Sequence, residues 1–161
     1  MLTDIEIKRL IEIEKQIVEP PKEKMTIRQG HLRNDFKLKS IGDKEKFTVY
    51  IRVLGQFNED FSVGMNYIDS EGKSICLIRY NGNHGIHKNH REGESPFDGC
   101  HIHITTEEAI SSGESPEHFA EETRDYATWH EALMCFLKRT NITNSQDYFP
   151  EIYQPRLFDK L

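Results

Sequence analysis

The sequence predicts an α+β fold: an antiparallel sheet of four to five strands, built as a β-meander, with N- and C-terminal helices packed on it. Three observations predict it. Runs of β-branched and aromatic residues occupy about 47–54, 61–69 and 74–80, and a short run follows at 100–105. The connections between the first three runs are short, which makes the strands antiparallel neighbours. Apolar residues at helical spacing occupy 3–18 and 128–139, one stretch on either side of the strands.

The first helix opens on Thr3-Asp4-Ile5-Glu6, a capping box in which hydroxyl and carboxylate satisfy the free amides. Ile7, Leu10, Ile11, Ile17 and Val18 form its stripe, and Pro20-Pro21 ends it. Such a helix covers a sheet or serves as a dimerisation arm, so a homodimer is one expected use. Phe36 and Leu38 alternate with Lys37 and Lys39 as in an edge strand, where lysine discourages edge pairing. Phe47 to Leu54 is a strand, and Phe61 to Asp69 is the next. Asp69-Ser70-Glu71-Gly72 is a turn with glycine where positive φ is tolerated. Ser74 to Tyr80 completes the meander, and Cys100 to Thr105 adds a fourth central strand.

Thr105 or Thr106 before Glu107-Glu108 caps a short helix, and Ser115-Pro116-Glu117 marks another helix start. Thr128-Trp129-His130-Glu131 is a second capping box, with Trp129, Ala132, Leu133, Phe136 and Leu137 on the buried side. No repeat, low-complexity run or linker divides the chain, so residues 1–161 are expected to form a single domain.

A net charge of −6 argues against a broadly basic nucleic-acid clamp, though Arg79, Lys88 and Arg91 form a local basic group. Cys76, Cys100 and Cys135 are odd in number and widely spaced, which points to a reducing compartment rather than a disulfide framework. The start MLTDIEIKRL lacks the features of a secretory signal, and no stretch approaches the ~20 apolar residues that cross a bilayer. A cytoplasmic protein without membrane partners is expected.

The functional signal is the stretch Arg79–Thr105, RYNGNHGIHKNHREGESPFDGCHIHIT, which holds His84, His87, His90, His101 and His103. An imidazole titrates near neutral pH, so one ring accepts a proton while another gives one. Strand alternation turns His101 and His103 to one side, roughly 6.5–7 Å apart at ~3.3 Å per residue. Phosphodiester cleavage needs an acid, a base and a cation for the charged intermediate. His101 and His103, or one of them with His87, supply the first two, and Arg79 or Lys88 the third. Asn89 orients a phosphate oxygen or base edge, and Tyr80 offers a stacking face. No cofactor is needed for this chemistry. The alternative is a divalent metal such as zinc or manganese held by His101, His103 and His87. His101-Ile-His103 with Glu107 matches part of the cupin metal motif, but Gly113 comes one residue too early and the second histidine block is missing. A nucleophilic Cys100 is disfavoured, because it faces away from His101 on the strand.

LIRYNGNHGIHKN, GCHIHIT and TRDYATWHEALMCFLKRTNI, spread over about residues 60–142, resemble a family of uncharacterised small bacterial and phage proteins. That family's pattern is a His-x-Asn loop followed by a His-x-His strand and a closing helix. The resemblance maps the loop onto His87 and Asn89 and the strand onto His101 and His103, leaving His84 and His90 outside. Similar proteins often lie on mobile elements. The resemblance therefore implies a toxin, a partner of one, or a phage protein acting against host defence. The partner would be RNA, or a host or antitoxin protein.

Overall fold

The computed structural model describes residues 1–42, 44–54, 59–83, 85–87, 97–114 and 120–154. Helix α1 (Asp4–Glu12) starts at Thr3, whose hydroxyl accepts from the Glu6 amide while the Glu6 carboxylate accepts from the Thr3 amide. Ile7, Leu10 and Ile11 are its buried side. The helix stops well short of Pro20, because Ile13 is already extended (ψ 149°) and Lys15–Glu19 form strand β1. The apolar spacing through Ile17 is thus divided between two elements. Lys15 fixes the break. Its ammonium donates to the carbonyls of Ile11 (2.8 Å), Ile13 (2.8 Å) and Thr140 (3.0 Å), closing off helix-end acceptors that have no partner within a helix.

Strands β2 (Thr26–Arg28), β3 (His31–Ser40), β4 (Lys46–Leu54), β5 (Phe61–Ile68) and β6 (Ser74–Asn81) follow. Two-residue strands β7 (Ile86–His87) and β8 (Phe97–Asp98) pair with each other, apart from the main sheet. Strands β9 (His101–Ile104) and β10 (Glu121–Glu122) return to it. The main sheet has eight strands in the order β1-β3-β4-β5-β6-β9-β10, with β2 beside β3, and its described ladders are antiparallel. Four to five strands was therefore too few. The added ones are five, three and two residues long, too short for alternation to stand out. β3 is not an edge: β1 and β2 pair with one side and β4 with the other. Lys37 and Lys39 are exposed because they project from an uncovered face.

The helices are α2 (Glu107–Ser112), α3 (Trp129–Arg139) and α4 (Pro150–Tyr153). Thr106 caps α2, and Thr128 with Glu131 forms the capping box of α3. The helix start read at Ser115-Pro116-Glu117 lies outside the described residues. Alternation sends Phe47, Val49, Ile51 and Val53 of β4 into a core shared with Leu133, Phe136 and Leu137 of α3. Tyr80 meets Phe136 edge-on at 5.8 Å, and Phe36 lies 5.5 Å from Phe149. A bulge interrupts the β5–β6 ladder, since Met65 pairs with Ile78 but Asn66 pairs with Cys76. Leu77 is the extra residue, and both Leu77 and Ile78 are fully buried. Among the described residues no helix is long and apolar enough to cross a membrane.

Candidate functional site

The sheet face turned away from the helices carries the polar residues. Register lines up Arg52, Ser62, Asn81 and His101 in one row across β4, β5, β6 and β9. The adjoining row, which starts on β3, is Asp35, Tyr50, Gly64, Arg79 and His103. Exposure falls along the rows: Asp35 is exposed, Arg52, Ser62, Tyr50 and Arg79 are half-buried, and Asn81, His101 and His103 are buried.

The first row is a directed hydrogen-bond chain. Ser62 Oγ donates to Asn81 Oδ1 (2.7 Å), and Asn81 Nδ2 donates to His101 Nε2 (3.3 Å). His101 Nδ1 then donates to the Gly99 carbonyl (2.9 Å). These roles fit a neutral ring with its proton on Nδ1. From the helix side, the Tyr126 hydroxyl lies 2.9 Å from the carbonyls of both Asn81 and His101 and shares its one proton between them. The two strands are pinned where the histidine leaves the backbone. Burial pushes the Tyr126 phenol far above its usual range, so it serves as a neutral donor.

In the second row, Arg79 stands directly opposite His103 on the neighbouring strand. The His103 ring lies edge-on to His101, with centroids 5.0 Å apart. Tyr50 brings its phenol within reach of both Arg79 and Cys76. Its phenol is raised by burial first, with Cys76 adding to the rise and the Arg79 cation opposing it. Cys76 joins this group because the bulge returns residues 76 and 79 to one face.

The structure therefore brings together Arg79, His101 and His103. Tyr80 faces the other way, as its position next to Arg79 in a strand requires. Its ring packs 5.4 Å from Tyr126, and its hydroxyl lies towards Arg139 of α3. His87 pairs with Phe97 in the small ladder. Lys88, Asn89, His84 and His90 lie outside the described residues. No group of three His, Cys, Asp or Glu among the described residues is placed to hold a metal ion, and both nitrogens of His101 are hydrogen-bonded. Glu107 is exposed in the first turn of α2. Burial raises the thiol pKa values of Cys100 and Cys135, which keeps both as thiols rather than nucleophilic thiolates.

Tyr50, Ser62 and Asn81 escaped the sequence reading. Gly64 is the signal for Tyr50, since glycine inside a strand marks a close approach. Nothing local marks Ser62 or Asn81, which the register alone joins.

The chain belongs to a family of unknown function, DUF6978, whose family model matches residues 2–142. No curated protein and no solved structure matches the chain.

Proposed function

We propose that the protein handles a phosphodiester on this face, and that its concrete form is a ribonuclease toxin of a mobile element acting in the cytoplasm. The observation that carries the reading is the direct opposition of Arg79 and His103, with the Tyr50 phenol beside the guanidinium. A planar guanidinium binds two phosphate oxygens and offsets the charge of a pentacoordinate intermediate. His103 takes the proton of an attacking ribose hydroxyl as the new P–O bond forms. The old P–O bond breaks, and the leaving oxygen takes a proton from water. His101 orients its neighbour in this scheme, because Gly99 and Asn81 occupy its own nitrogens. Its assignment moves from proton transfer to positioning.

A second reading rests on a separate observation: His101 is fully enclosed and His103 nearly so. Histidines in that setting hold strands and loops together. The protein would then be a non-enzymatic phage or mobile-element factor that inhibits a host defence complex by protein–protein binding. His103→Ala and Arg79→Lys, each checked for intact folding, separate the two. Loss of both RNA cleavage and cellular effect supports catalysis. A cellular effect that survives both substitutions supports the binder and rejects the nuclease.

A further inference from the structure

The chain carries a net charge of −6, yet the sheet face turned away from the helices is cationic. Register places Arg28, Arg33, Lys37, Lys39, Lys46, Arg52 and Arg79 on it, against the carboxylates of Glu19, Asp35 and Glu122. Two of those carboxylates are already engaged, Glu19 with Lys37 (3.0 Å) and Asp35 with Arg52 (2.8 Å).

The surplus is sharpest at one end. Lys39 and Lys46 are directly opposed across β3 and β4, an arrangement in which like charges destabilise a sheet. With Lys44 they line a cleft of about 640 Å³ whose wall also includes the carboxylates of Glu45 and Asp69, with Tyr67 and Ser70. All three lysines are exposed. The carboxylates nearby are committed elsewhere. Glu45 binds Arg9 (2.9 Å) through one oxygen and the Ser40 hydroxyl (2.7 Å) through the other. Asp69 accepts the amides of Glu71 and Lys73. Among the described residues no carboxylate pairs with Lys39, Lys44 or Lys46.

We infer that the Lys39–Lys44–Lys46 cleft is a phosphate subsite for a single-stranded nucleic acid whose backbone crosses the sheet face towards Arg79. Four residues separate Lys46 from Tyr50 along β4, about 13 Å at ~3.3 Å per residue. Two strand intervals separate β4 from β6, about 10 Å at ~4.8 Å each. The track to Arg79 is therefore roughly 16 Å long on the diagonal. A lone phosphate cannot bridge that distance, and a polymer with regularly spaced charges can. The inference takes its ligand class from the phosphodiester reading, and it concerns binding rather than cleavage.

The test is fluorescence anisotropy of the full chain with labelled 20-nucleotide oligouridylate and oligothymidylate over a range of salt. Lys39→Glu/Lys46→Glu is compared with Lys8→Glu/Lys138→Glu, an equal charge change at exposed positions on the helices. The face variant is expected to lose about tenfold or more in affinity, and the size of its log–log salt slope should fall by about 1.4, at ~0.7 per phosphate contact on a single strand. The helix variant should stay near wild type. A stronger loss with RNA than with DNA would assign the ribose strand as the ligand, and equal losses would assign the backbone common to both. Equal affinities for wild type and the face variant would overturn the subsite and leave the phosphodiester reading standing. Wild type that binds neither oligonucleotide, or binds only polyglutamate, would overturn both.

Discussion

The ring of Tyr50 lies across Gly64, so closely that a Cβ added at residue 64 would sit 2.3 Å from both Cζ and the hydroxyl oxygen of the tyrosine. The glycine is therefore part of the site, because it lets the phenol reach Arg79 and Cys76 on the strand beyond. Gly64→Ala should displace the ring and cost about 1–3 kcal/mol, the usual penalty of overpacking. Urea unfolding of G64A, Tyr50→Ala and the double variant checks it. The two effects should couple by about 1 kcal/mol or more, since removing the ring relieves the clash. Strict additivity would show that the ring does not depend on the glycine.

The ammonium of Lys15 is fully buried, holds three carbonyls and lies 5.0 Å from the Phe47 ring centroid. Lys15→Met should cost roughly 2–4 kcal/mol, by stranding carbonyls at the ends of α1 and α3. Chemical denaturation at fixed pH measures it.

The same lysine should shape the pH profile. Burial lowers its pKa to about 7 from 10.5, against the opposing pull of Glu45. Between those values the unfolded chain keeps a proton that the folded chain releases. Native stability should therefore rise with pH from about 7 to about 10.5 and gain nothing from this group below 7. The neutral amine still donates to two carbonyls. Unfolding free energies of wild type and K15M across this window should diverge, and parallel profiles would refute the assignment.

Nitrogen NMR reports directly on the Ser62–Asn81–His101–Gly99 chain. A long-range proton–nitrogen spectrum should show His101 as the neutral Nδ1–H tautomer, because the Gly99 carbonyl accepts that proton. In Asn81→Ala the Nε2 partner is gone, and the tautomer signal should weaken or shift. An Nε2–H signal in wild type would reverse the direction of the chain.

Tyr126→Phe removes one hydroxyl that serves the Asn81 and His101 carbonyls while keeping the ring against Tyr80 and Phe61. The expected cost is about 1–2 kcal/mol. Hydrogen exchange at β6 and β9 should quicken together. A loss of protection confined to one of the two strands would show that Tyr126 does not tie them.

Period-two alternation was enough to put His101 and His103 on one side of a strand, and both capping boxes were visible as four-residue patterns. The meander was legible for the same reason, since its strands are long and their connections short. What escaped was long-range. Nothing near Lys15 tells that its side chain meets Thr140, 125 positions along the chain, so a helical spacing ran on through residues that form a strand. β10, with two residues, offers no pattern at all. The placement of Arg79 beside His103 depends on which strand follows β6 in space, a matter of register between segments about 20 residues apart. The opposite orientation of Tyr80, by contrast, was already written in its adjacency to Arg79.

The bulge at Leu77 marks the place in β6 where this family can shed one residue without turning the site over. Positions 76 and 79 share a face only because one residue there stands outside the ladder. Excising Leu77 would leave Asn66 opposite Cys76 and Met65 opposite Ile78 with nothing between them, so the ladder would run unbroken and Cys76, Arg79 and Asn81 would keep their common face. The loss would fall on the core, which would give up the buried Leu77 side chain. Relatives one residue shorter here should therefore still present the arginine beside the His-x-His segment, whereas a deletion elsewhere in β6 would turn one part of the strand over.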